Sequence, residues 1–64
     1  MKVINRSGKE IDFDVAVNLM DDEIREELHS AGYDTEQEFF TAYEEAHEAR
    51  TGQEWELSKE NPIY

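Results

Sequence analysis

The chain has 64 residues, seventeen of them Asp or Glu against six Lys or Arg, for a formal net charge of −11, and it contains no cysteine. Such a length allows one small domain, 1–64, near the limit at which a hydrophobic core holds without help, and the lack of thiols removes both a disulfide framework and a thiolate zinc site. The negative field repels nucleic acid and anionic membranes, which argues against direct DNA or RNA binding and steers the protein towards basic surfaces.

Residues 1–6 contain no apolar run of signal-peptide length, and nowhere do about eighteen apolar residues follow one another. The expected location is therefore the cytoplasm of the cell that makes the protein, with no membrane association. Three Phe, three Tyr and one Trp favour a packed core over disorder. Homodimer formation is an alternative source of stability.

Residues 2–13 predict a β-hairpin, with Val3 and Ile4 before a turn at Asn5-Arg6-Ser7-Gly8 and with Ile11 and Phe13 alternating against Glu10 and Asp12. Gly8 supplies the positive φ that such turns need. The following segment has two readings. The alternation of Ile11, Phe13, Val15 and Val17 could continue the strand, or Asp14 could cap a short helix that turns Ala16, Leu19 and Met20 to the core. The second is preferred, because one helix through residues 15–30 would push Leu19 towards solvent.

Residues 21–29 predict an amphipathic helix, the second part of a helical stretch 14–31, with Ile24 and Leu28 on one side and Asp22, Glu23 and Glu26 on the other. Asp21 and Glu27 flank the apolar edge. His29 in the last turn and Gly32 beyond it mark the end. Thr35-Glu36-Gln37-Glu38 is a capping box and opens the second main helix, 35–51, on which Phe39, Tyr43, Ala46 and Arg50 recur at helical spacing until Gly52. Residues 53–57 alternate polar and apolar, so they predict a short C-terminal strand or a cover of Trp55 and Leu57 over the core, and 58–64 reads as an extended tail. The fold class is α+β: an N-terminal hairpin followed by two or three short helices.

The acidic helix carries about one negative charge per 2 Å of axis, close to the one phosphate charge per about 1.7 Å of B-form DNA. Its like-charge pairs four apart, Asp22 with Glu26 and Glu23 with Glu27, each cost about 0.2–0.5 kcal/mol, and only Asp21 with Arg25 is favourable. A basic partner would relieve that repulsion on contact. The ordinary alternative is an acidic face that only keeps a small protein in solution. Against it, the second helix repeats the pattern with Glu38, Glu44, Glu45 and Glu48, and Arg25 is the only base between Glu10 and Glu48.

Two stretches, Glu26-Glu27-Leu28-His29 and Glu44-Glu45-Ala46-His47, match the Glu-x-x-His spacing of di-iron bundles, but the chain lacks the four-helix complement such a site needs. No metal and no cofactor is expected; His29 reads as a helix-end charge partner and His47 as a half-buried packing residue. No nucleophile–base motif, phosphate-binding glycine loop or calcium loop is present, so the protein is not expected to be an enzyme. Phe39, Phe40, Tyr43 and Trp55 read as core, with Tyr33, Tyr64 and Trp55 the better candidates for exposed contacts.

With Asn18-Leu19-Met20-Asp21-Asp22-Glu23-Ile24-Arg25-Glu26-Glu27-Leu28-His29 and Thr35-Glu36-Gln37-Glu38-Phe39-Phe40-Thr41-Ala42-Tyr43-Glu44-Glu45-Ala46-His47, residues 18–47 resemble the short acidic proteins carried by bacteriophages and mobile elements of Gram-positive bacteria. Such proteins include anti-CRISPR inhibitors and antirestriction proteins that mimic DNA. The resemblance implies an inhibitor that covers the basic nucleic-acid-binding surface of a CRISPR nuclease or restriction enzyme, first of all a type II CRISPR nuclease, whose arginines would meet carboxylates in place of phosphates. The partner-binding residues would be Asp21, Asp22, Glu23, Glu26 and Glu27, with Glu38, Glu44, Glu45 and Glu48 as a second row. The alternative is an adaptor that binds a protein through apolar patches at Tyr33, Trp55 and the tail, its acids serving solubility alone.

Overall fold

A computed structural model describes residues 1–62. Strand β1, Lys2–Ile4, pairs antiparallel with β2, Glu10–Asp12, and Val3 stands opposite Ile11. Alternation puts both of these apolar residues on one face, where they are buried, and leaves Ile4 outside. In the connecting loop the Asn5 Oδ1 accepts from the backbone N–H groups of Ser7 at 3.0 Å and Lys9 at 2.8 Å, and Gly8 adopts φ 83°.

The free edge of β1 is closed by a side chain. The Gln37 Oε1 accepts from the Ile4 N–H at 2.7 Å while its Nε2 donates to the Ile4 carbonyl at 2.9 Å, so one amide stands in for a third strand.

Helix α1, Phe13–Leu19, follows β2 directly, with Asp12 as N-cap accepting from the Val15 N–H at 3.1 Å. The expected cap at Asp14 is corrected, and so is the expected burial of Leu19, which is 49% exposed. With the helix starting at Phe13, its phase turns Ala16 and Met20 to the core, packs Phe13 and Val17 against it and swings Leu19 out.

Helix α2, Asp22–Ala31, has Asp21 as N-cap, its Oδ1 accepting from Glu23 N–H at 3.0 Å and Ile24 N–H at 3.2 Å, and it ends on Gly32 at φ 74°. Helix α3, Glu36–Thr51, is capped by Thr35, whose hydroxyl accepts from the Glu38 N–H at 3.1 Å. The Glu38 carboxylate reaches back one residue further than a capping box requires and accepts from the Asp34 N–H at 3.3 Å. The two helices run antiparallel: Asp21, at the start of α2, meets Tyr43 in the middle of α3, and Tyr33, beyond the end of α2, packs on Phe39 near its start.

Among the described residues no third strand forms after α3. Residues Glu56–Ser58 make a 3-10 turn instead, and Trp55 and Leu57 are buried over the core, with the Trp55 ring centroid 4.4 Å from that of Tyr43 and 5.6 Å from that of Phe40. Asn5 Nδ2 donates to the carbonyls of Leu57 at 2.8 Å and Lys59 at 3.0 Å, and the Ser7 hydroxyl donates to the Ser58 carbonyl at 2.8 Å, which ties this segment to the hairpin loop. Tyr64, expected as an exposed contact, lies outside the described residues. Among the described residues no helix is long and apolar enough to cross a membrane.

Candidate partner-binding surface

The outer side of α2 carries Asp22, Glu23, Glu26 and Glu27, all exposed, because Ile24 and Leu28 take the opposite side into the core. Asp21 stands at the head of this row, but its carboxylate is committed to capping. That commitment also redirects Arg25, which pairs with Asp22 at 2.9 Å rather than with Asp21. The sequence expectation of an Asp21–Arg25 pair is corrected accordingly.

A second cation reaches the row from α3. The Arg50 guanidinium hydrogen-bonds the Glu27 carboxylate and lies 3.9 Å from that of Glu23, bridging two like charges four residues apart. Donating to the Glu27 carboxylate raises the Arg50 pKa above its ordinary value. Part of the repulsion expected to await a partner is thus relieved within the fold. The pairs stay exposed, however, with 86% of the Glu23 side chain and 61% of the Glu27 side chain accessible, so exchanging Arg50 for a partner cation costs little.

On α3 the expected second row divides. Glu38 and Glu45 are exposed on the outer face, and Glu45 has no cation partner among the described residues. Glu48 is exposed but pairs with Arg6 at 2.8 Å. Glu44 leaves the row: it is 2% exposed, sits under the hairpin loop and accepts from the Arg6 backbone N–H at 3.0 Å, with the Arg6 side chain 4.0 Å away. Loop 5–9 covers the side of α3 that a helical projection alone assigns to solvent.

The remaining candidates are also separated. Glu44 faces Arg6, whereas the His47 Nδ1 lies 3.1 Å from the Gln53 carbonyl and its ring leans towards Tyr43 and Trp55, so the two do not converge on a common point. Among the described residues no group of three or more His, Asp or Glu side chains is placed to hold a metal ion. Trp55 is 6% exposed, which corrects its expected role as an exposed contact and takes the centre out of the apolar patch an adaptor would use. Tyr33 remains available at 43% exposure.

The internal pairs cannot exhaust the charge. Six Lys and Arg face seventeen Asp and Glu, so the surplus stays on the surface, and Glu26 and Glu45 carry it without a cation partner among the described residues. A family model described as anti-CRISPR protein AcrIC5 matches residues 4–55, from the end of β1 through Trp55. The chain belongs to this anti-CRISPR family.

No curated protein matches the chain. Members of the family are non-catalytic inhibitors that work by protein–protein contact. The expected target, a type II CRISPR nuclease, is overturned, because the AcrIC5 family acts on type I-C CRISPR systems. The physical reason is plain: a charge density close to that of DNA suits any surface that grips a duplex, and the acids carry no mark of which one.

Proposed function

We propose that the protein inhibits a type I-C CRISPR system as a DNA mimic, in the cytoplasm of a bacterial host, by laying the outer faces of α2 and α3 on the basic surface that would otherwise grip the target duplex. Asp22, Glu23, Glu26 and Glu27 form the leading row, Glu38, Glu45 and Glu48 the second, and Asp21 contributes through the helix start it caps. The observation that carries this reading is the surplus of exposed carboxylate on two antiparallel helices, headed by the unpaired Glu26 and Glu45. Arginines that normally hold phosphate can form equally strong charge-assisted bonds to carboxylate. A restriction enzyme as partner gains no support from the family match.

Such binding competes with DNA and weakens steeply as salt rises, since exposed charges are screened over about 10 Å at 0.1 M. The test is a combined Asp22→Lys, Glu23→Lys and Glu26→Lys variant, checked for helix content by circular dichroism and then assayed for blocking of DNA binding by the type I-C complex. Loss of inhibition in a folded variant supports mimicry at α2. Full inhibition by the folded variant ends it.

A further inference from the structure

Where α1, α2 and the start of α3 meet, an open cleft of about 380 Å³ is left unfilled. Its aromatic wall is built on Phe39, against which Phe13 and Tyr33 both stand edge-on, each with its ring centroid 6.2 Å away, at 84° and 87°. Two carboxylates, Asp34 and Glu36, line the same cleft, and neither has a cation partner among the described residues. Arg25, on the α2 side, is already committed, with one guanidinium nitrogen on Asp22 at 2.9 Å and another donating to the Val17 carbonyl at 3.3 Å.

We propose that this cleft receives an arginine side chain of the CRISPR partner, an assignment that rests on the mimicry reading and adds a docking point to it. Charge complementarity selects the occupant, because with Arg25 held by Asp22 the two free carboxylates outnumber the one other basic group on the wall, His29. An acidic group would meet Asp34 and Glu36 as like charges, and a purely apolar one would strip water from them without compensation. A cation with an apolar stem satisfies both parts: its methylenes lie against the rings, its head meets the carboxylates, and a planar guanidinium stacks on a ring face as an ammonium cannot. Because Asp22 holds Arg25 at the edge of the cleft, cleft and acidic row are contiguous, and one basic surface can engage both.

The arrangement also divides the labour. Rows of exposed carboxylate give long-range attraction but little selectivity among basic surfaces, whereas a shaped pocket filled by one anchoring residue is where interfaces concentrate their affinity.

The experiment titrates the purified type I-C DNA-binding complex with Tyr33→Ala, Tyr33→Phe, the pair Asp34→Asn with Glu36→Gln, and the α2 charge-reversal variant, all first confirmed as folded. Tyr33→Ala is expected to weaken binding on the order of tenfold with an unchanged salt dependence, because no charge is removed. Tyr33→Phe keeps the ring and should bind as the parent does. The Asp34→Asn, Glu36→Gln pair should weaken binding and flatten its salt dependence. Parental affinity in Tyr33→Ala overturns the cleft, and the charge-reversal variant then shows whether mimicry survives without it. If Tyr33→Ala weakens binding while the Asp34→Asn, Glu36→Gln pair does not, the occupant is an uncharged side chain and the arginine assignment is wrong.

Discussion

The nearly inaccessible hydroxyl of Tyr43 accepts the backbone N–H of Asp21 at 2.7 Å, so the residue that caps the acidic helix is fastened to the middle of α3. Tyr43→Phe keeps the ring packing and leaves that N–H without its partner. We expect a stability loss of about 1–2 kcal/mol, measured by urea unfolding, with helix content retained. An unchanged midpoint would mean that water replaces the hydroxyl at no cost.

The same hydroxyl sets an alkaline limit. Burial raises the Tyr43 pKa above 10.0, outweighing the Asp21 N–H bond that lowers it. The unfolded chain therefore loses this proton first, and the stabilisation is whole below pH 10.0 and declines as pH climbs towards the folded value. At the acid end Asp12 has the opposite sign, because the Val15 N–H holds its pKa below 3.8. Its contribution is present above that value and is lost as pH falls through the folded one. Thermal unfolding across pH should show Tyr43→Phe without the alkaline decline and Asp12→Asn with a reduced acid one.

Arg50 stabilises the fold by bridging Glu23 and Glu27, yet it also neutralises part of the row that a basic partner would meet. Arg50→Gln should therefore lower the melting temperature at low salt, with the gap narrowing as salt is added, and at the same time tighten inhibition. Weaker inhibition by a fully folded Arg50→Gln protein would count against these two carboxylates as contacts.

Glu44 and Glu45 are neighbours with opposite duties. Glu44→Ala strips the Arg6 N–H and side chain of a buried acceptor and should cost about 2–4 kcal/mol. Glu45→Ala should leave stability nearly unchanged and weaken binding at low salt. Calorimetry of both proteins, alone and with the type I-C complex, separates the two effects.

Features whose cause lies in adjacent residues were legible in the sequence. The Thr35–Glu38 cap, the stop at Gly32, the turn at Gly8 and the amphipathic phase of residues 21–29 are each decided by chain within one or two turns. What could not be read depends on distant partners: Glu44 looks like one more surface acid until Arg6 is folded over it, and Arg50 gives no sign that it reaches across to α2. Gln37 is ordinary in a helix and acquires meaning only beside the bare edge of β1. Leu19 was misplaced for a local reason: a cap at Asp14 leaves Phe13 outside the helix, and once Phe13 joins Ala16, Val17 and Met20 on the inward arc, Leu19 falls outside it. Nor could charge name the target, because all DNA-binding surfaces look alike to a row of carboxylates.

The bonds from Asn5 and Ser7 to residues 57–59 join parts of the chain more than fifty positions apart. The hairpin loop has nothing to fasten to until that segment folds back upon it, and the same step places Trp55 and Leu57 over the core. Closure of the two ends and completion of the core are thus one event, and loosening the clasp at Asn5 loosens the aromatic centre with it.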